Sequence, residues 1–574
     1  MIKIENLCKS YKTDNGEEIP ALKNINLEVN EGEIVGIFGT SGSGKTTLLR
    51  ILRGVEQFDE GEVTISRYTL KPDSSQFYFN QVKKETAIHL QRSFGIWPET
   101  ALENVLRKLY AVRYGDEGDV DLKEAEKMYG KEAEEILELV GLSHKKNHLA
   151  SVLSGGEKQR LIMARQLAKK PKVMLLDEPA TMSCPKTKQD ILNAVKNINK
   201  ELGITIVFVS HLPEIHKFLA DRVILLEDGE IQKEGSADEI IDEFLADIED
   251  PVDINIESTD EVLIKAENIN KRFYLFTGGE VLTVDDVNFE VNKQNILSLV
   301  GPSGAGKTIL LRMLGGLDLP DTGDILFELT TNNEEGIPES KWVNIEEAGL
   351  DRMEIRRRIG FMHQEFALMY YASIQSQLAV KLGYKNYELI EEAKKRAKEL
   401  GLPDILLDAL YQLTDLPAAE AKARLEQIGL EPSILEELFP KFPETEVKKE
   451  VAELFEALDL SLDILPRKSY ELSGGQQVRA MLALVLAPKP EILLLDEPFG
   501  DLDPKTLRIV SNSLKKISKE FGTTIVMISH NTDFIKEISN RAILIDDGVL
   551  KDDTEDVDKL VDDFIGYCEA DYLM

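Results

Sequence analysis

Short runs of consecutive apolar residues recur along the chain, and several of them end at glycine-rich or polar segments. Two such runs, Ile34 to Phe38 and Ile296 to Val300, each lead into a glycine-rich loop. Helical apolar spacing follows the loops, at Leu48 to Leu52 and at Leu310 to Leu314. Short apolar runs bounded by turn residues are typical of buried strands. The pattern therefore predicts a strand, a loop and a helix in succession at both places.

Both loops fit the pattern GxxxxGK[ST]. In such a loop the glycines let backbone N–H groups close on phosphates at a helix N-terminus, the lysine adds a positive charge, and the hydroxyl is placed to ligate Mg²⁺. The sequence thus predicts two ATP-binding loops. Their residues are Gly39, Ser41, Gly42, Gly44, Lys45, Thr46 and Thr47 in the first and Gly301, Ser303, Gly304, Gly306, Lys307 and Thr308 in the second.

Three further motifs occur once in each half of the chain. They are LSGG, an apolar strand that ends in Asp-Glu, and a strand that ends in Ser-His. The LSGG serine precedes the aspartate by 23 positions in both halves, and the aspartate precedes the histidine by 34 in both. Independent motif sets would not share these offsets, so the chain contains an internal repeat. The matching positions are Ser154, Asp177, Glu178 and His211 in the first half and Ser473, Asp496, Glu497 and His530 in the second.

The composition indicates a globular, multidomain protein. Its 574 residues are several times the length of a typical domain of roughly 150 residues, and 43% of them are hydrophobic. No apolar run approaches the roughly 20 residues needed to cross a bilayer, and the first residues lack the apolar stretch of a secretory signal. We therefore expect a cytoplasmic protein.

Charge and cysteine content narrow the choice of partners. The 68 basic and 103 acidic residues give a formal net charge of -35, which repels phosphate backbones, so nucleic acid is not expected as a partner. Cys8, Cys184 and Cys568 lie far apart in the sequence. Neither a disulfide framework nor a CxxC-type metal site is therefore predicted.

The order of these motifs resembles the ATP-binding cassette (ABC) superfamily, twice and over nearly the whole chain. A glutamine after an apolar run, Gln91 and Gln364, completes the series. The resemblance implies an α/β fold with two tandem P-loop NTPase domains. Each would have a mainly parallel sheet, an antiparallel β region and a helical subdomain between the glutamine and LSGG.

The resemblance also implies a role for each residue. Glu178 and Glu497 would orient or deprotonate the attacking water, and His211 and His530 would reach the γ-phosphate. Tyr11 and Phe273 would stack on adenine, although strand-end aromatics of this kind are also ordinary core residues. The residues implied in binding Mg²⁺ are Thr46, Gln91 and Asp177 in the first half and Thr308, Gln364 and Asp496 in the second.

In this superfamily LSGG completes the site on the opposite cassette. Ser473 and Gly475 would then complete the first site, and Ser154 and Gly156 the second. One position departs from the family pattern, because Cys184 stands where the second half has an aspartate. Cys184 is either a redox-sensitive interface residue or a tolerated small side chain.

The resemblance divides the chain into four parts. These are a first ABC ATPase domain at 1–235, an acidic capping helix and linker at 236–261, a second ABC ATPase domain at 262–550 and an acidic C-terminal tail at 551–574. The second helical subdomain is enlarged at about 382–463, and the spacing from glutamine to LSGG serine is 46 positions longer there than in the first half. The extra segment is either a solvated helix pair or a docking arm for one partner.

Several short sequence segments indicate a narrower resemblance among twin-cassette proteins. The chain resembles the ATP-dependent activation component of methyl-coenzyme M reductase of methanogenic archaea, at residues 142–144, 153–160, 164–169, 276–280 and 359–365. That resemblance implies ATP-driven remodelling of a soluble assembly, the reductase and its activation proteins, and a role in methanogenesis. The alternative is the twin-cassette ATPase subunit of an ABC importer, with separate membrane permease subunits as partners.

Overall fold

The computed structural model of the chain describes residues 1–12, 18–89, 95–180, 183–252, 254, 259–275, 279–332, 338–363, 367–385, 387–414, 416, 418–439, 443–500 and 502–573. Strands and helices in the first half follow the apolar pattern closely. The strands are β1 (Ile2–Lys12), β2 (Glu18–Val29), β3 (Ile34–Phe38), β4 (Glu60–Ile65), β5 (Tyr68–Leu70), β6 (Thr86–His89), β7 (Val173–Asp177), β8 (Thr205–Val209), β9 (Arg222–Glu227) and β10 (Glu230–Gly235). The helices are α1 (Lys45–Leu52), α2 (Gln76–Glu85), α3 (Ala101–Tyr114), α4 (Leu122–Leu139), α5 (Gly155–Leu167), α6 (Pro185–Leu202), α7 (Pro213–Leu219) and α8 (Ala237–Ala246).

The second half repeats this order with additional helices. Its strands are β11 (Val262–Leu275), β12 (Gly279–Asn292), β13 (Ile296–Val300), β14 (Thr322–Asn332), β15 (Pro338–Asn344), β16 (Ile359–Met362), β17 (Ile492–Asp496), β18 (Thr524–Ile528), β19 (Arg541–Asp546) and β20 (Val549–Thr554). Its helices are α9 (Lys307–Leu314), α10 (Leu350–Arg357), α11 (Ile374–Lys381), α12 (Tyr387–Glu399), α13 (Asp404–Leu413), α14 (Ala418–Gln427), α15 (Ser433–Leu438), α16 (Pro443–Glu450), α17 (Ala452–Ala457), α18 (Gly474–Leu486), α19 (Pro504–Phe521), α20 (Thr532–Ile538) and α21 (Val557–Tyr567).

Each half contains a mainly parallel sheet and a smaller antiparallel one. In the first half the strand orders are β10-β9-β3-β8-β7-β6 and β2-β1-β4-β5, and in the second they are β20-β19-β13-β18-β17-β16 and β12-β11-β14-β15. The central strands β3 and β13 are buried at every residue because helices cover both faces of a parallel sheet. The predicted fold class is therefore confirmed.

Parallel sheets place the ends of their strands at one edge, and this edge carries the motifs. β3, β7 and β8 run parallel to one another, so the loop after β3, the carboxylates after β7 and the histidine after β8 come together. β13, β17 and β18 repeat the arrangement. Gly44 ends the first loop with a φ of 99°, and a Cβ there would lie 2.4 Å from the Ala21 carbonyl oxygen. Only glycine fits this turn into α1.

The additional helices of the second half have a hydrophobic cluster of their own. Its buried members lie on α12 to α15 and in the residue after α15, and none of them belongs to the larger cluster that joins the sheets and helices of the two halves. The flanking segments are anchored in the main body, since Val447 on α16 is fully buried in the larger cluster. This small unit, α12 to α15, therefore packs as a separate lobe.

The C-terminal segment folds onto the rest of the molecule. β20 continues to Thr554, so the predicted boundary at 550 falls inside a strand, and the hairpin with β19 explains why. Beyond α21, Cys568, Ala570 and Tyr572 are buried, and the Tyr572 N–H donates to the Gln189 side-chain oxygen at 3.0 Å. Residues of the predicted tail therefore contact the first half, on α6. The division into four domains stays a prediction.

Within the described ranges, we find no helix with both the length and the hydrophobicity required of a membrane span.

Candidate nucleotide sites between the two halves

The lysine of each glycine-rich loop is buried and folds back over its own loop. The Lys45 ammonium donates to the carbonyl oxygens of Gly39 at 2.9 Å and Thr40 at 2.6 Å. Lys307 donates to the carbonyl oxygens of Gly301 and Pro302, both at 2.8 Å. Burial lowers the pKa of Lys45 to about 8, although nearby carboxylates oppose the shift. Both loops are therefore pre-shaped around a positive charge at a helix N-terminus, which suits a bound phosphate.

A threonine and an aspartate supply a pair of oxygens beside each loop. The Thr46 hydroxyl donates to Asp177 Oδ1 at 3.5 Å, and the Thr308 hydroxyl donates to Asp496 Oδ1 at 3.1 Å. Burial raises the pKa of both aspartates. A hydroxyl and a carboxylate are hard oxygen donors of the kind that Mg²⁺ prefers. The residues present thus fit a magnesium ion bound together with phosphate oxygens.

The glutamate that follows each of these aspartates has a left-handed backbone. Glu178 has a φ of 52° and Glu497 a φ of 50°, which is costly for a residue with a side chain. Hydrogen bonds from their N–H groups to the carbonyl oxygens of Val209, at 3.0 Å, and Ile528, at 3.1 Å, hold the two turns. Each strained turn is therefore fixed by the neighbouring parallel strand.

Each strained glutamate faces the predicted histidine. The Nε2 atom of His211 lies 3.5 Å from Glu178 Oε1, and that of His530 lies 2.8 Å from Glu497 Oε1. Burial and then the Lys45 charge lower the pKa of His211 to about 3, and burial lowers the pKa of His530. His211 is therefore a neutral imidazole at neutral pH.

These groups line a cleft in the first half. The cleft has a volume of about 480 Å³, and its wall includes the glycine-rich loop with Thr47, the carboxylates, His211 and Tyr11. Tyr11 is 39% exposed, as is Phe273 at the matching place in the second half. Lys9 and Lys271 lie 5.1 and 5.5 Å from the centres of the two rings. Both rings keep an exposed face on which a base can stack.

The two LSGG serines cap helices. Ser154 and Ser473 accept hydrogen bonds from the third residue of α5 and α18, respectively, and complete capping boxes there. A Cβ at Gly156 would lie 1.9 Å from Thr187, and one at Gly475 would lie 2.8 Å from Thr506. The second glycine of each motif therefore has to be small so that α5 packs on α6 and α18 on α19.

The halves meet where the motifs of one approach the loop of the other. The Ser41 N–H donates to Asp503 Oδ2 at 3.4 Å, and a Cβ at Gly474 would lie 3.9 Å from Ser41. On the other side Cys184 reaches Ser303. Burial raises the pKa of this thiol, but hydrogen bonds from Ser303 and Thr187 outweigh burial and the net shift is downward. The first loop thus lies against the LSGG segment of the second half at Gly474.

The structure does not report on every predicted residue. Gln91 and Gln364 lie outside the described residues, and so do parts of two segments that carried the finer resemblance, 276–278 and 364–365. Lys188 was missed by sequence reasoning. It is buried on α6 and stands where the second half has Leu507, a difference that aligning the two halves would have exposed.

Paired P-loop halves with strained glutamates and facing LSGG motifs define a nucleotide hydrolase of the cassette type. The model of the ABC transporter family matches residues 22–181 and 284–500. The chain belongs to this family and is a twin-cassette ABC ATPase.

Its relatives include proteins of the same length and single importer cassettes. An uncharacterized ABC transporter ATP-binding protein of Methanocaldococcus jannaschii is 47% identical over 553 residues, which are 96% of this chain and 94% of the relative. The methionine import ATP-binding protein MetN of Clostridioides difficile is 38% identical over 42% of this chain and 70% of its own length. A solved structure titled RNase-L Inhibitor superposes with a TM-score of 0.56 at 18% identity, covering 98% of this chain and 93% of that one. The last match shows a shared fold alone.

Proposed function

We propose that the protein binds and hydrolyses MgATP at two composite sites between its halves and that closing and opening of the halves remodels a partner. The observation that carries this proposal is the approach of Gly474 and Asp503 to the first glycine-rich loop at Ser41. An ATP bound at Lys45 would lie between that loop and the LSGG helix of the other half. Nucleotide would then stabilise closure, and hydrolysis would release it.

Each side chain has a proposed part in the reaction. Lys45 and Lys307 bind phosphate oxygens, and the strained Glu178 and Glu497 accept a proton from the attacking water. A neutral imidazole, as at His211, donates a hydrogen bond to a γ-phosphate oxygen while it lies next to the glutamate. Mg²⁺ held beside Thr46 and Thr308 would neutralise charge on the β- and γ-phosphate oxygens.

Replacing the two glutamates tests the assignment. Glu178→Gln and Glu497→Gln should each leave MgATP binding intact and should each remove turnover at one site, because glutamine keeps the size but cannot take a proton. The double variant should lose turnover by roughly 10² to 10⁴ and trap two nucleotides. Wild-type turnover in the double variant would refute the roles given to these residues.

Arginine at the LSGG serines tests whether the sites are shared. Ser473→Arg should block the site that contains Lys45, because a bulky cation at the crowded start of α18 keeps the halves apart. Ser154→Arg is the matched variant and should block the site that contains Lys307. Photo-crosslinking of an ATP analogue separates the two outcomes, and labelling lost within the same half as the substitution would reverse the pairing.

For the partner, we propose methyl-coenzyme M reductase and its activation proteins, with the chain supplying ATP-driven remodelling and other proteins supplying electrons. Support comes from the local sequence resemblance at residues 142–144, 153–160, 164–169, 276–280 and 359–365. The separate lobe of α12 to α15, which the first half lacks, also suits a partner that binds one half of the protein differently from the other. A symmetric pair of permease subunits would instead require similar docking faces on the two halves.

Removing the lobe tests its proposed role in docking. We expect deletion of residues 388–438, rejoined by a short Gly/Ser linker, to keep ATP hydrolysis within about threefold, because the lobe has its own core and lies outside every nucleotide motif. Binding to the reductase assembly should be lost. Normal binding by the deleted protein would contradict the docking role.

An importer ATPase is the second candidate, and the resemblance to MetN over 42% of the chain favours it. The two candidates differ in what co-purifies from native cells with the tagged full-length protein. Soluble reductase subunits would support the first candidate, and membrane permease subunits would replace it with the second.

A further inference from the structure

The chain crosses from one half to the other at two places, and the two crossings match. In each half the last β-hairpin leads into a helix, α8 or α21, and that helix packs on the one that follows the site histidine, α7 or α20. Beyond α8 the Val252 N–H donates to Asn512 Oδ1 on α19 at 3.0 Å. Beyond α21 the Tyr572 N–H donates to Gln189 Oε1 on α6, also at 3.0 Å. Each half therefore binds a backbone N–H of the other with a side-chain amide.

The second crossing is held by its own contacts, whereas the first is required by connectivity because the chain continues into β11. Those contacts are buried, since Cys568, Ala570 and Tyr572 are at most 6% exposed. A 3₁₀ turn at Asp571–Leu573 packs on α7 of the first half. A buried aromatic side chain together with a buried backbone hydrogen bond fixes this segment to the first half. We call residues 568–573 the clasp.

The clasp connects the two helices that follow the site histidines. α7 begins at Pro213, two residues after His211, and α20 begins at Thr532, two residues after His530. α21 packs on α20, and the clasp that follows α21 packs on α7. A continuous set of packed elements therefore joins the histidine of one site to the histidine of the other.

The electrostatic surroundings of Tyr572 include both of these helices. Burial raises the pKa of its phenol, and the charges of Glu214 on α7 and Asp533 on α20 add to the shift. Because α6 packs on α7, a clasp that is bound to Gln189 on α6 is held against α7 as well. A shift of either histidine helix therefore disturbs the contacts of the clasp.

We propose that the clasp couples the two ATP sites by linking α20 to α7, so that ATP bound at the second site speeds hydrolysis at the first. This inference rests on the proposed composite sites and on the proposed contact of each histidine with a γ-phosphate. When His530 binds the γ-phosphate, α20 is held in one position, and α21 and the clasp transmit that position to α7 and His211. The route does not use Cys184, which stands where the second half has Asp503.

Two substitutions in the second site set its occupancy for the test. Lys307→Ala removes the ammonium that binds phosphate and keeps the second site empty, whereas Glu497→Gln lets MgATP bind there without turnover. In both proteins the turnover comes from the first site. The kcat of the Glu497→Gln protein divided by that of the Lys307→Ala protein therefore measures the effect of an occupied second site. We expect this kcat ratio to be at least about five, the lower end of the coupling usually found between two sites.

Gln189→Met removes the acceptor for the clasp and keeps the length of the side chain. It should lower the kcat ratio to below about two and change kcat of the Lys307→Ala protein itself by less than about twofold. A purely structural role would instead lower kcat in both proteins and leave the ratio as it is. Asn193→Ala is the matched control, because it removes the other partner of the Gln189 amide, at 2.9 Å, and leaves the Tyr572 N–H bonded. It should not change the ratio.

Hydrogen exchange provides a second measurement that needs no substitution in the clasp or on α6. ATP trapped at the second site alone, in the protein with Lys45→Ala and Glu497→Gln, should slow exchange of the Tyr572 amide and of the α7 amides by about tenfold. The reference is the protein with Lys45→Ala and Lys307→Ala, in which both sites stay empty. Unchanged exchange, a kcat ratio near one with the clasp intact, or a ratio that survives Gln189→Met would overturn the coupling. Wild-type turnover in the double variant with Glu178→Gln and Glu497→Gln would instead refute the proposed sites themselves.

Discussion

Asp503 uses its two carboxylate oxygens for different purposes, and a substitution can separate them. Oδ1 accepts the Thr506 N–H at 3.1 Å and so caps α19, whereas Oδ2 accepts the Thr506 hydroxyl at 2.9 Å and the Ser41 N–H of the other half at 3.4 Å. Burial raises the pKa of Asp503, but its hydrogen bonds to Thr506 and Ser41 outweigh burial, and the net shift is downward. The carboxylate is therefore ionised at neutral pH.

Serine keeps the cap and loses the contact across the interface. Its single oxygen can accept the Thr506 N–H, and serine caps helices about as well as aspartate, so Asp503→Ser should cost less than about 0.5 kcal/mol of stability. Asp503→Ala removes the cap as well and should cost about 1 kcal/mol. Both variants also lose the hydrogen bond to Ser41, which is long and should contribute about 1 kcal/mol to ATP binding at the first site. Its loss should raise the KM for ATP there by a factor of about five.

The assay measures KM for MgATP and thermal unfolding together. In the Glu497→Gln protein, which reports the first site, Asp503→Ser and Asp503→Ala should raise KM alike, although only the alanine variant should melt earlier. In the Glu178→Gln protein, which reports the second site, neither variant should change KM more than about twofold. A normal KM for Asp503→Ser in the first assay would refute the contact as a part of the site.

Two more predictions concern stability. Because a Cβ at Gly156 would lie 1.9 Å from a side chain of α6, Gly156→Ala should lose about 1–2 kcal/mol and melt a few degrees lower, while Gly155→Ala, which has no atom within 4 Å, should not. Burial raises the pKa of Glu117, but Lys108 and Arg165 outweigh burial and bring it to about 2. Glu117→Gln should therefore be less stable than wild type at pH 7. A carboxyl group with a lowered pKa stabilises the folded protein only while it is ionised, and this contribution is lost as the pH falls from about 4.5 toward 2. Urea unfolding should accordingly show the difference between variant and wild type shrinking over this pH range.

The elements that hold the motifs could be read from the sequence. The apolar runs at Ile34–Phe38 and Ile296–Val300 match β3 and β13 residue for residue. A buried parallel strand admits apolar residues on both faces, and glycine-rich loops mark its end, so pattern alone locates it. The equal offsets in the two halves then show that both sites are built from the same residue types in the same order along the chain.

Contacts between the halves were less accessible to sequence reasoning. The chain ends in an acidic segment that gave no hint of its packing, yet Tyr572 is 6% exposed and bonds to Gln189 across more than 380 positions. Such a contact depends on how two folded bodies meet, and no local periodicity encodes it. The strained φ of Glu178 is likewise a tertiary property, because the turn is held by Val209 on a neighbouring strand.

The internal repeat nevertheless contains information of this kind, since each half is a reference for the other. Where the halves agree, as at the glutamates and histidines, the agreement identifies the chemistry that both sites need. Where they differ, the positions worth examining are those at the interface. Cys184 opposite Asp503 and Lys188 opposite Leu507 lie one turn apart on matching helices, and together they change the charge presented to the other half by two units. Because the two differences lie one helical turn apart at the start of α6, comparing the halves locates a charge asymmetry that neither half would reveal by itself.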